Sequence, residues 1–189
     1  QEEIGRGGMG VVYRAVPSED AAQPPVAVKL IWPGTHHAEL FSRFRRERHI
    51  LAKLDHPHIA RLLTDGQTEQ GAPYFVMEYV AGQPITTYCA ARELPLTERL
   101  RLFEQVCAAV HYAHLHSVIH RDLKPSNILV TPAPDGKDGV VKLLDFGIAK
   151  SAAQVGLTST GQVKGKISYM SPEQIRAHPI DQRSDLWSL

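Results

Sequence analysis

A chain of 189 residues can bury a sizeable core and form one domain or a little more. Its 43% hydrophobic and 22% charged residues suit an ordinary globular protein, and 21 Lys and Arg against 20 Asp and Glu give a net charge of +1, which argues against nucleic acid or an acidic membrane surface as the main partner. The two cysteines, Cys89 and Cys107, argue for a reducing, cytosolic setting over a disulfide framework, and no run reaches the ~18 apolar residues of a membrane helix.

Ile4-Gly5-Arg6-Gly7-Gly8-Met9-Gly10-Val11-Val12-Tyr13 contains G-x-G-x-x-G. Alone the pattern is weak, because dinucleotide-binding folds carry it at the start of a helix. Here β-branched and aromatic residues follow (Val11, Val12, Tyr13, Val16), so a strand is expected. A glycine hairpin whose bare backbone can approach phosphates is one reading, and an ordinary hairpin is the other.

Val26-Ala27-Val28-Lys29-Leu30 reads as the next strand. Lys29 interrupts an apolar run, so its ammonium needs a partner or must shed its charge, unless it snorkels to the surface. Leu40, Phe44, Leu51 and Leu54 mark one face of a following helix, and Glu47 lies on that face. A carboxylate on a core-facing stripe is costly unless paired, and Lys29 is its candidate partner.

His56-Pro57-His58 ends that helix, because proline cannot continue it, and reads as a solvated turn. Strands are expected over 59–63 and 74–80, joined by a polar turn around Gly66 and Gly71. A buried helix is expected over 97–116. It carries Leu100, Phe103, Cys107 and Val110 on one stripe and Leu102, Val106, Ala109 and Ala113 on another. Its His111, His114 and His116 read as structural or solvated, since zinc would want a fourth ligand at suitable spacing.

The run His120-Arg121-Asp122-Leu123-Lys124-Pro125-Ser126-Asn127 is followed by strands 128–130 and 140–144 about a Pro/Gly/Asp turn, and then by Asp145-Phe146-Gly147. The hairpin sets Asn127 and Asp145 at its two ends. Segment 148–171 is polar and rich in Gly, Ser and Thr, and structureless stretches of that length are usually functional. Tyr169-Met170-Ser171-Pro172-Glu173 and Asp185-Leu186-Trp187-Ser188 close the chain. Because it opens almost on the glycine turn and stops in helix-like apolar sequence, it is expected to be a piece of a longer protein.

These runs, in this order, resemble the motif set of protein kinases. Phe44-Arg45-Arg46-Glu47, Asp145-Phe146-Gly147-Ile148-Ala149-Lys150 and Tyr169-Met170-Ser171-Pro172-Glu173-Gln174 resemble bacterial eukaryotic-like serine/threonine kinases. The resemblance implies an α+β, two-lobed protein-kinase fold. A small antiparallel β-sheet lobe with one helix and the hinge strand would occupy 1–80. A mostly helical large lobe, its C-terminal part missing, would occupy 81–189.

The implied activity is phosphorylation of serine and threonine hydroxyls on protein substrates, with ATP and Mg2+. In that scheme Asp122 orients the hydroxyl and accepts its proton, Lys124 stabilises the transferring phosphoryl, and Asn127 and Asp145 hold magnesium. Lys29, fixed by Glu47, holds the α- and β-phosphates. Ile4, Gly5, Gly7, Gly10, Val12 and Ala27 complete the nucleotide site with Met77, which guards the pocket, and with the backbone of Glu78 and Val80, which bonds the adenine edge. His120 and Phe146 are implied as packing supports.

Arg121, just before Asp122, implies a partner for a phosphorylated loop residue, with Thr158, Ser159 and Thr160 as candidates for self-phosphorylation. The resemblance leaves a dimer open and implies no nucleic acid. It places the catalytic domain in the cytoplasm, with any membrane anchor of the parent outside this segment. Two departures stand out. Lys166 replaces the threonine usual after Gly165, and truncation would leave Glu173 without its usual arginine and apolar helix faces bare, an aggregation hazard. A nucleotide-binding scaffold without turnover would be expected to have lost Lys29, Asp122 or Asp145. A small-molecule kinase would need no peptide platform of the kind Pro172-Glu173 implies.

Overall fold

The computed structural model describes residues 2–7, 10–17, 23–32, 54–133, 139–146 and 167–189. The chain divides into two compact units, one of Gln1–Lys53 and Ala60–Val80, the other of Leu54–Ile59 and Ala81–Leu189.

The first unit is an antiparallel sheet of five strands, β1 (Glu2–Gly7), β2 (Gly10–Ala15), β3 (Val26–Ile31), β4 (Leu62–Gln67) and β5 (Pro73–Glu78), in the order β1-β2-β3-β5-β4. Gly7 pairs with Gly10 to close the expected strand–glycine–strand hairpin, and Ile4 is the extra residue of a bulge in β1. Residues opposite one another on paired strands share a face. Val12 faces Lys29, Lys29 faces Phe75, and Ala27 faces Met77, so Val12, Ala27, Lys29 and Met77 lie on one side of the sheet. Val11, opposite Leu30, anchors the other side and is fully buried.

Strand β4 departs from the expected 59–63. It runs on through Gly66, which pairs with Tyr74 so closely that a Cβ would lie 2.5 Å from the Tyr74 hydroxyl. The turn comes later, where Thr68 N–H bonds Ala72 O at 2.9 Å and Gly71 takes φ +80°. Of the expected helix carrying Glu47, only Leu54 lies within the described residues, and it is buried.

The second unit holds α1 (Ile85–Ala91), α2 (Leu96–Leu115), α3 (Pro172–Ile175), α4 (Gln182–Ser188) and a three-stranded sheet in the order β6 (Gln83–Pro84), β7 (Ile128–Pro132) and β8 (Gly139–Leu143). Elements β6 and α1 have no counterpart in the sequence reading. Helix α2 and strand β8 fall within a residue of it, while β7 runs two residues beyond the expected 128–130. Leu102, Val106, Ala109, Val110 and Ala113 of α2 form the core with Val130, Val141 and Leu143. The other apolar stripe is mostly outside it, with Leu100 51% and Phe103 41% exposed. Periodicity found the helix but could not say which of two apolar stripes turns inward.

Strand β8 is the edge of its sheet, yet its outer flank is bonded. The Gln105 side chain of α2 donates to Gly139 O at 3.0 Å and accepts from Val141 N–H at 2.8 Å. His58 Nδ1–H donates to Val141 O at 3.1 Å, and His58 O accepts from Leu143 N–H at 2.8 Å. The His56-Pro57-His58 segment is therefore docked along β8 and is not a solvated turn. His56 Nδ1 accepts from His58 N–H at 3.2 Å, and its ring lies 4.9 Å from that of Tyr112. Helix α4 buries Ser184 and Asp185 and leaves Leu186 58% and Trp187 61% exposed. None of the described helices is long and apolar enough to cross a membrane.

Candidate active site

In the second unit the site is built around the His120–Asn127 run. His120 is fully buried. Its Nε2 lies 2.8 Å from Leu144 O, which can only accept, and its Nδ1 lies 3.2 Å from Asp122 N–H, which can only donate. Both contacts suit a neutral imidazole with its proton on Nε2. Burial pushes the pKa of His120 down, against an opposing pull from Asp185. Phe146 packs against it with the rings tilted at 42° and their centroids 4.7 Å apart. The packing role expected of both residues holds, and His120 adds two hydrogen bonds to it.

Asp185 fixes the loop from below. Its buried carboxylate accepts His120 N–H at 2.7 Å and Arg121 N–H at 2.8 Å, and His114 Nε2–H at 2.8 Å. Arg121 sits at φ +64°, a left-handed conformation unfavourable for a side chain with a Cβ. Its carbonyl accepts from the Gln174 side chain at 2.9 Å.

That backbone delivers Asp122 to its neighbours. Asn127 Nδ2–H donates to Asp122 O at 2.8 Å and lies 3.3 Å from Asp122 Oδ2, while Lys124 Nζ lies 3.6 Å from Oδ2. Leu144 N–H bonds Asn127 O at 2.8 Å, which ties the two ends of the hairpin together, and Asp145 follows at φ +51°. The structure thus gathers Asp122, Lys124 and Asn127, with Asp145 at the adjoining chain end. With its NH2 turned to Asp122, the Asn127 amide presents Oδ1 as the end that can meet a cation. An amide oxygen and a carboxylate are the hard donors magnesium takes.

In the first unit, Val12, Ala27, Lys29 and Met77 share the sheet face described above. The three motif glycines differ. A Cβ at Gly10 would stand 2.0 Å from Leu30 O, so packing against β3 demands glycine there. Among described atoms, a Cβ at Gly5 would meet nothing closer than Val12 Cβ at 3.9 Å, and one at Gly7 nothing within 4 Å. Ile4 is 44% exposed. Glu78 N–H bonds Arg61 O at 2.9 Å, and its carboxylate accepts Arg61 N–H at 3.2 Å. Val80 lies just beyond the strand end. Glu47, Gly147, Thr158, Ser159, Thr160 and Lys166 fall outside the described residues.

Glu173 accepts a hydrogen bond from Ser184 Oγ–H, which holds its carboxyl below the usual range. Four supports escaped the sequence reading: Gln105, His58, the His114 bond to Asp185, and Gln174. Only the last had a local signal, because Ser171-Pro172-Glu173-Gln174 fits the capping-box pattern and forms that box.

A family model described as "Protein kinase domain" matches residues 1–189. The chain is 42% identical to serine/threonine-protein kinase pkn3 of Myxococcus xanthus, across 98% of this chain and 35% of that protein. It is 37% identical to serine/threonine-protein kinase PrkC of Bacillus subtilis, across 98% of this chain and 28% of that protein. The chain therefore spans about a third of the length of these curated relatives. Among solved structures it is similar to the PknI kinase domain of Mycobacterium tuberculosis, with TM-score 0.72, 30% identity and coverage of 99% of this chain and 68% of that one. It is also similar to Rad53 in complex with AMP-PNP, with TM-score 0.72, 29% identity and coverage of 99% and 44%. With its glycine hairpin, its Asp122–Asn127 loop and the hairpin leading to Asp145, the chain belongs to the protein kinase domain family, among relatives that are bacterial serine/threonine kinases.

Proposed function

We propose that this chain transfers the γ-phosphoryl group of ATP to serine and threonine hydroxyls of protein substrates. The grouping of Asp122 with Asn127 and Lys124 carries the reading. In the reaction the acceptor oxygen bonds to the γ-phosphorus and the bond from that phosphorus to the β–γ bridging oxygen breaks. The hydroxyl proton passes to the Asp122 carboxylate, and ADP departs. Lys124, 3.6 Å from Asp122, supplies a cation where the transferring group spreads its negative charge.

Asn127 and Asp145 are the residues that would hold magnesium, which when bound neutralises phosphate charge. Lys29 and the open backbone at Gly5 and Gly7 are assigned to the phosphates, and Val12, Ala27 and Met77 to the adenine. Because the Glu78 N–H is already bonded to Arg61 O, Val80 is assigned the donor role toward the purine edge. Self-phosphorylation at Thr158, Ser159 or Thr160 belongs to the same reading, supported by the guanidinium of Arg121 next to Asp122. So does a cytoplasmic site of action, where ATP is abundant and the two thiols stay reduced.

Intact mass after incubation of the full natural protein with Mg-ATP tests the proposal, with Asp122→Asn as control. Phosphate adducts that appear in the wild type and vanish in the control are the expected result. ATP that raises the melting temperature without adding mass would indicate a nucleotide-binding scaffold instead.

A further inference from the structure

The residue before Asp122 is held from both sides. Arg121, at φ +64°, gives its N–H to Asp185 Oδ1 at 2.8 Å and receives the Gln174 Nε2–H at its carbonyl at 2.9 Å. The amide of Gln174 cannot be turned round. Its Oε1 accepts Ser171 N–H at 3.0 Å, while Gln174 N–H bonds Ser171 Oγ at 3.4 Å. One end of the side chain is thereby fixed to the first turn of α3, and the other is aimed at a left-handed residue that α3 does not contain. Left-handed backbone at a residue with a Cβ is unfavourable and persists only where surrounding contacts impose it.

We infer that Gln174 is a positioning residue for the proposed phosphoryl transfer, holding the Arg121–Asp122 peptide in its left-handed form and so setting the direction of the Asp122 carboxylate. The inference rests on the proposed reaction. Without the Gln174 donor the peptide joining Arg121 to Asp122 keeps only its Asp122 N–H bond to His120 Nδ1, and Asp122 samples directions away from the acceptor hydroxyl. The nucleotide-facing residues are untouched, so the loss falls on turnover and not on ATP affinity.

The test compares Gln174→Met and Gln174→Glu with wild type in the full natural protein. Methionine keeps the length and loses the amide. Glutamate keeps the acceptor for Ser171 but turns a carboxylate onto the Arg121 carbonyl, and only its protonated form can donate there. Gln174→Met loses the bonds to Arg121 O and from Ser171 N–H, and the first of these is expected to lower kcat by about fivefold to tenfold, with KM for ATP within about twofold. The activity of Gln174→Glu relative to wild type is expected to climb several-fold from about pH 8 to about pH 5.5 as the new carboxyl takes up a proton.

Wild type without transfer activity would defeat the proposed function itself, separately from this inference. An active wild type with both variants within about twofold of its kcat would overturn the role of Gln174. So would a loss of kcat in Gln174→Glu that does not change with pH, because that marks a merely structural part. If Gln174→Met does not fold, the pH dependence of Gln174→Glu decides alone.

Discussion

A Cβ at Gly10 would lie 2.0 Å from the Leu30 carbonyl oxygen, whereas one at Gly7 would meet no described atom within 4 Å. The two glycines belong to one motif for different physical reasons. Gly10→Ala is expected to cost about 3 kcal/mol of stability by forcing β2 and β3 apart. Gly7→Ala should leave stability within about 0.5 kcal/mol and raise KM for ATP, because the space it fills is the phosphate's in the proposed site. Urea unfolding together with ATP titration checks the pair, and equal stability losses in both would remove the distinction. At this scale the sequence was informative wherever a polar residue interrupted an apolar pattern, as Lys29 does, or stood in a dense motif, as Asp122, Asn127 and Asp145 do. It was silent on Gln105, and its capping-box pattern tied Gln174 only to Ser171, because their other partners lie 34 and 53 residues away along the chain. No local pattern encodes a bond that only the folded chain brings together.

The β7–β8 hairpin was legible as an element from its β-branched runs and its turn. What braces it was not. Gly139 O and Val141 N–H, both on buried residues, are met by the one amide of Gln105. Gln105→Ala leaves both groups without that partner, at about 1–3 kcal/mol for each buried group. A loss of about 2 kcal/mol or more is therefore expected in denaturant unfolding, with a change below about 0.5 kcal/mol as the contrary result. On the proposed reaction, a higher magnesium requirement should follow from looser placement of Asp145. Helix α2 shows the opposite limit of legibility. Its length and ends were readable to about one residue, but both of its stripes are apolar, and burial chose Leu102 and Val106 over Leu100 and Phe103 only through contact with β8 and its neighbours.

Across the whole molecule, the buried His120 ties stability to pH. Its folded-state pKa lies below the ordinary 6.5, so as pH falls the unfolded chain takes up a proton that the folded chain refuses. The stabilising contribution is therefore complete above about pH 6.5 and declines below it, by at most about 1.4 kcal/mol per pH unit for a single proton. Burial lowers His56 too, aided by the charges of His58 and Lys142, so it acts in the same direction. The urea midpoint is expected to fall between about pH 7.5 and about pH 5.5, and an unchanged midpoint would contradict a neutral, buried imidazole. Protonation at Nδ1 of the folded chain would remove the acceptor for Asp122 N–H, so on the proposed reaction any loss of turnover from this cause is expected only at lower pH than the loss of stability. A strand at the rim of a sheet is ordinarily a template on which another chain can lay a strand of its own and begin ordered aggregation. Along the stretch that leads into Asp145 that template is already written over by Gln105 and His58, so crowding many copies together offers this rim no foothold for recruitment.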